Sequence, residues 1–300
     1  MHGRDLAASR PMARLAQAAR LGALASLALT IGVGCPEEPK PTPKPVMTAK
    51  PEVTGTAKTA APTTTAAAPG GEAKMGTATI KGVVNFTGKA LEMKVPKKRK
   101  DAEFCKTKEV KYNAVVVNNG KLADVLVRIA NDGIKGDYKA PAKHAEVNQT
   151  DCMYTPRIQG VVAGQTIDIK NGDGTLHNVH TYKGTESWFN KPQIKGSPAI
   201  EQEMPDEAKV VKFACDVHPW MRGFVIVNAH PFFAVSGADG SFTIDKVPAG
   251  EYAVEAWHPH YGLKTGKVKI EDGKAAELNF SYDGTEAEPV ENKDEMKDLF

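Results

Sequence analysis

Residues 215–221 read Cys-Asp-Val-His-Pro-Trp-Met and place a thiol, an imidazole and a thioether at the spacing C-x2-H-x2-M. Apolar runs flank the segment: Val210, Val211, Phe213 and Ala214 before it, and Phe224, Val225, Ile226 and Val227 after it. Short runs rich in β-branched residues read as strands. A tight loop between antiparallel strands can bring three side chains to one point without a large core to hold them. A second histidine, His177, follows the alternating run Thr166-Ile167-Asp168-Ile169-Lys170 and is available as a fourth donor.

Thiolate, two imidazoles and a weak axial thioether are the donor set of a mononuclear copper centre that carries single electrons. Sulfur suits the singly charged ion and imidazole the doubly charged one, so a trigonal arrangement of both needs little rearrangement between states. Two histidines, one cysteine and a methionine make a poor zinc site. A binuclear copper centre needs a second cysteine in the loop, and the loop has one. His180 lies three residues past His177, where strand alternation sends it to the other face. It reads as a structural histidine, the alternative being a second copper that reduces a small oxyanion. No Ser-His-Asp or paired-carboxylate pattern stands out, so the chain is not expected to be an enzyme.

The first 34 residues read as a removable leader. Arg4, Arg10, Arg14 and Arg20 precede an apolar run over 21–33 that is too short to span a bilayer comfortably. The run ends in Gly32-Val33-Gly34-Cys35, which resembles the lipobox of bacterial lipoproteins, although Gly32 stands where Leu is usual. The resemblance implies lipidation of Cys35, membrane lipid as a partner, and a place in the bacterial cell envelope. Pro36 after the cysteine points to the outer membrane, facing the periplasm. An ordinary signal peptide is the alternative. The leader's four arginines and Asp5 account for the whole-chain net charge of +3, so nucleic-acid binding loses its main support.

Residues 35–76 form a tether rich in Pro, Thr and Ala, too polar to fold, with a coil span of roughly 35 Å. Lys94, Lys97, Lys98, Arg99 and Lys100 make a basic, solvated loop. Of the four cysteines, Cys105 and Cys152 remain after Cys35 and Cys215 are assigned. In an oxidising compartment a bridge between them is expected, closing a loop of about 48 residues and worth roughly 4 kcal/mol. The rival, a second thiolate metal site, lacks a histidine nearby in sequence. His230 reads as an inter-domain joint, and His258 and His260, flanking Pro259, as exposed. Residues 283–300 carry seven acidic residues against two lysines and read as a mobile tail.

The stretch GQTIDIKNGDGTLHNVH followed by KFACDVHPWMRGFVIV resembles the cupredoxins, above all the amicyanin and pseudoazurin branch. The resemblance implies a Greek-key β-sandwich with His177, Cys215 and His218 as trigonal copper ligands and Met221 as the distant axial one. It implies that Asn178 braces the ligand loop and that Asn171 and Asp173 form a strand-end turn. It also implies a surface His218 rimmed by Pro219 and Trp220, where transient redox partners dock. The stretch DGSFTIDKVPAGEYAVEAWHP resembles the carboxypeptidase regulatory-like domain of transthyretin type, a non-catalytic β-sandwich. Because TIKGVVNFTGKA also resembles the opening strand of that module, tandem and inserted arrangements both remain open.

The expected protein is therefore all-β: a cupredoxin-type sandwich over 77–230, a transthyretin-like unit over 231–282, and an acidic tail. Its expected role is that of a periplasmic single-electron carrier. The alternative is a copper-binding module used for metal handling or partner recognition without redox turnover.

Overall fold

The computed structural model describes residues 72–92, 95, 103–108, 110 and 114–289. The expected leader, Cys35, most of the tether, the basic cluster at 94 and 97–100, and the last part of the acidic tail lie outside the described residues. The described chain is all-β apart from one helical turn, Glu103–Lys106.

Four sheets form two sandwiches. In the first sandwich the strand Ala78–Phe86 is central: antiparallel to Ser241–Val247 and parallel to Ala275–Glu277 and Phe280–Tyr282. Its facing sheet runs in the order Phe233–Val235, Leu126–Ile129, Gly250–His258, Gly262–Ile270. Alternate residues point inward, as a two-residue side-chain period requires. Ile80, Val84, Ile129, Ile244, Val254 and Tyr282 thereby meet in one core.

The second sandwich has a five-stranded sheet ordered Glu186–Gln193, His177–Lys183, Lys209–Ala214, Arg222–Asn228, Ile158–Val162. Against it lies the sheet Ile200–Glu203, Thr166–Asn171, Ala145–Thr150, Met153–Thr155. Val147, Ile167, Ile169, Val179, Val211 and Phe213 fill the space between.

Of the two arrangements left open by the sequence, these pairings give the inserted one, in place of tandem units at 77–230 and 231–282. Strands 78–86 and 126–129 belong with the C-terminal strands, so the second sandwich is inserted in a host. The chain leaves the host beyond Tyr138, which still packs on the host core, and re-enters it by Phe232; the flanking strands pair directly, Phe233 opposite Arg128. Adjacent exit and entry points let an insertion fold without disturbing its host. The tether boundary moves as well. Tyr138 Oη donates to Lys74 O and Gly76 N donates to Lys246 O, so residues 74–76 already lie on the host. At the other end, Glu286 pairs with Lys264 and Glu288 with His260, so the expected mobile tail does not begin at 283.

Leu126 and Trp257 of the host pack against Ile158, Phe224 and Ile226 on the outer face of the five-stranded sheet. The Trp257 and Phe224 rings meet edge-on at 5.7 Å. Gly160 lets Phe233 join them, since a Cβ there would lie 2.4 Å from its ring. Arg128 reaches across to Asn228 Oδ1 at 3.1 Å while holding Glu255 at 2.8 Å. Trp257→Ala is expected to lower the unfolding free energy by about 3–5 kcal/mol, the usual cost of emptying a large aromatic site. Urea titration of the full chain measures it, and a loss under about 1 kcal/mol would show that this contact does not bind the two sandwiches together.

Candidate metal centre

The strands Lys209–Ala214 and Arg222–Asn228 pair in register up to Ala214 opposite Arg222, leaving residues 215–221 as their connecting loop. The strand His177–Lys183 lies on the other side of Lys209–Ala214, with His180 opposite Ala214. His177 therefore emerges at the same end of the sheet as the loop. Sheet neighbours about 5 Å apart bring the two segments together.

The structure brings three of the expected donors to one point. His177 Nδ1 and His218 Nδ1 are 2.8 Å apart, and Cys215 Sγ is 3.6 Å from His218 Nδ1. All three donor atoms lie within 4.8 Å of one another, and all three side chains are buried. Met221 is fully buried in the same core, and its backbone N–H closes the loop on His218 O at 2.9 Å.

Asn178 holds the loop from the neighbouring strand. Its Oδ1 accepts from the backbone N–H of Asp216 at 2.8 Å and of Val217 at 3.3 Å, and the Cys215 thiol lies 3.3 Å away. Its Nδ2 donates to Asp216 Oδ2 at 2.8 Å, which also receives Asn190 Nδ2. Asn171 fixes the turn before His177: its amide donates to Thr175 O and Gln193 O, and its Oδ1 accepts from Asp173 N. Tyr154 Oη, 2.9 Å from Ala214 O and 3.1 Å from Asn178 O, ties the two ligand-bearing strands together.

Burial alone would raise the Cys215 thiol, but hydrogen bonds with His177 and His218 outweigh it and bring it down to about 6. Burial likewise pushes His177 down, yet Asp173 and Cys215 hold it above its ordinary value. Asp173, although buried, is kept ionised by His177 and by the N–H groups of Cys152 and Asp151. Cys152, Asp173 and His177 also lie within ligand distance of one another. The sulfur of Cys152 is bonded to Cys105, so that set is not a metal site.

The disulfide expected between Cys105 and Cys152 is present. The expected rim is not. Trp220 is fully buried, its Nε1–H donating to Cys152 O at 3.0 Å, and Pro219 is half-buried. His218 is also fully buried, with Cys105 Sγ 3.5 Å from its Nε2. The bridge draws the helical turn Glu103–Lys106 over the loop, which covers the imidazole that sequence reasoning put at the surface. Nothing in the sequence signals this contact, because the partners stand 113 residues apart.

Two other histidines differ from or extend their expected roles. His258 was expected at the surface but is fully buried, stacked on Tyr261, with Nδ1 accepting from the backbone of His260 and Tyr261. The Pro259 turn folds the ring back into the host core instead of presenting it. His180 faces outward, bonding Asp216 through Nδ1 and Ser187 Oγ through Nε2, both at 2.9 Å. This has the connectivity of a hydrolytic triad, which sequence reasoning missed. However, Tyr182 Oη also lies 3.0 Å from Nδ1, and the Asp216 carboxylate is engaged by Asn178 and Asn190. The group therefore braces the ligand loop from outside.

One protein-family model matches the chain: the β-sandwich domain of ER membrane protein complex subunit 7, over residues 219–296. That domain, and not the transthyretin-type module implied by the C-terminal resemblance, is the family to which this region is similar. Among solved structures, a purple cupredoxin from Nitrosopumilus maritimus is 25% identical and aligns over 28% of this chain and 99% of its own, with a TM-score of 0.25. A reduced amicyanin variant is 26% identical over 29% of this chain and 85% of its own, with a TM-score of 0.26. Amicyanin from Paracoccus versutus is 24% identical over 34% of this chain and 97% of its own, again with a TM-score of 0.26. No curated protein matches the chain.

In the metal-free chain, the ultraviolet absorbance of the Cys215 thiolate is expected to appear with a midpoint near pH 6. Since the folded value is depressed, this group stabilises the fold fully above the unfolded thiol's range, and the contribution fades as pH falls through about 6. His177→Ala removes a hydrogen bond to the sulfur and should move the midpoint upward. A midpoint in the ordinary thiol range for the unmodified chain would contradict the geometry.

Proposed function

We propose that the inserted sandwich holds one mononuclear copper ion and that the protein works as a single-electron carrier. The observation that supports this reading is the convergence of His177 Nδ1, Cys215 Sγ and His218 Nδ1 at one buried point. One thiolate and two imidazoles, with Met221 buried in the same core, suit copper better than zinc or a hard cation. Copper held there would supply a one-electron couple between its singly and doubly charged states.

The chain's own residues do the remaining work. Asp173 accepts from His177 Nε2, which leaves Nδ1 turned toward the sulfur. Asn178 and the Asp216–His180–Ser187 chain restrain the loop from the other side. Donors fixed by a packed core keep their positions when charge changes, so little reorganisation opposes electron transfer. The leader, Cys35 and the tether support a place on the bacterial cell envelope, where a leash gives reach toward transient redox partners. The host sandwich is read as scaffold.

The enclosed His218 favours a second reading. A centre without an exposed imidazole edge also suits a module that keeps or hands on copper without redox turnover.

Copper loading is expected to give an intense blue or green band and a narrow copper hyperfine splitting. Cys215→Ala should abolish both, and His180→Ala should retain them. A colourless copper adduct, or a colour that survives Cys215→Ala, ends the proposal. Voltammetry separates the two readings: a carrier cycles reversibly with its metal in place, whereas a handling module loses copper on reduction.

A further inference from the structure

Cys105 sits on the helical turn that closes over the metal loop, and its sulfur faces the outer nitrogen of His218. Cys105, Cys152 and His218 are each fully buried. Three attachments hold this cap down. The first is the bond to Cys152. The second is Phe104, which packs against the core of the metal sandwich and over Gly174, where a Cβ would lie 3.1 Å from two ring carbons. The third is the ion pair between Lys108 and Asp151 at 2.7 Å.

The far end of the bridge is fastened to the donors themselves. Asp173 accepts from the N–H groups of Asp151 and Cys152 and from His177 Nε2, and Trp220 donates to Cys152 O. Asp151 and Cys152 have φ of +54° and +59°, a left-handed pair that side-chain-bearing residues seldom adopt. Uncovering His218 therefore requires lifting a segment that is covalently tied to the turn holding His177.

We propose that the Cys105–Cys152 disulfide is a lock on the metal centre: closed, it makes metal entry and loss slow, and open, it makes them fast. The identity of the metal rests on the copper reading above, whereas the covering of the site does not. It follows that loading precedes closure during maturation. Closure forms the Sγ–Sγ bond as the two thiols give up two protons and two electrons to a disulfide-bearing oxidant, which is reduced to a dithiol. With both sulfurs enclosed, a thiol reaches the finished bridge only after local opening.

The test compares the full chain with the Cys105→Ser/Cys152→Ser double variant. Copper uptake by the metal-free chains, copper loss to a chelator, and amide exchange over residues 215–221 without metal are measured. All three are expected to be faster in the variant, by about tenfold or more if the cap opens freely. Phe104→Ala, which keeps the bridge but loosens the cap, should fall between the two and carries the test if the double variant does not fold. Equal rates and equal exchange overturn the lock. Absence of colour in every chain would count against the copper reading, and the metal-free exchange would still decide the lock.

Discussion

Asp173 has both carboxylate oxygens committed inside the protein. Oδ1 accepts from Asp151 N, and Oδ2 accepts from Cys152 N and His177 Nε2, at 2.8 to 2.9 Å. A buried charge is tolerated only when it is paired and hydrogen-bonded. An ionised carboxylate can only accept, so His177 must donate through Nε2, which turns Nδ1 toward Cys215 and His218. The same residue thus selects the tautomer of one donor and fixes the turn that carries the disulfide. Remove it and both His177 and the cap over His218 lose their reference point.

Much of this site could be read from the chain because its spacing is local. Cys215, His218 and Met221 sit in one loop, and the strands on either side follow from their apolar runs. His177 at the start of a strand was also legible, as was the Cys105–Cys152 pairing once the other two cysteines had been assigned. What escaped depends on long-range contacts. A tryptophan in a ligand loop reads equally well as rim or core, and only the arrival of Cys152 decides that Trp220 is core. His258 read as exposed because it precedes a proline, yet Tyr261 stacks on it. Side-chain alternation tells which face of a strand is buried and says nothing about its partner. The pairing of Ala78–Phe86 with Ser241–Val247 therefore left the domain order open.

The insertion gives each sandwich a different task. The host closes its own core from the two ends of the described chain, with Ile80 and Val84 meeting Ile244 and Tyr282. The insert keeps polar groups in its interior at the end that carries His177, Cys215 and His218, among them Gln149, Asn171 and Asp173. Satisfying those groups limits how much apolar surface that end can bury. The contact of Phe224 and Ile226 with Leu126 and Trp257 adds apolar burial at the other side of the same sheet.

The host's central strand is also its first, and it is gripped on both sides: by Ser241–Val247 running against it and by Ala275–Glu277 and Phe280–Tyr282 running with it. A pull on the N-terminal side of this strand, along its length, loads those flanking ladders in shear, with many backbone bonds resisting at once.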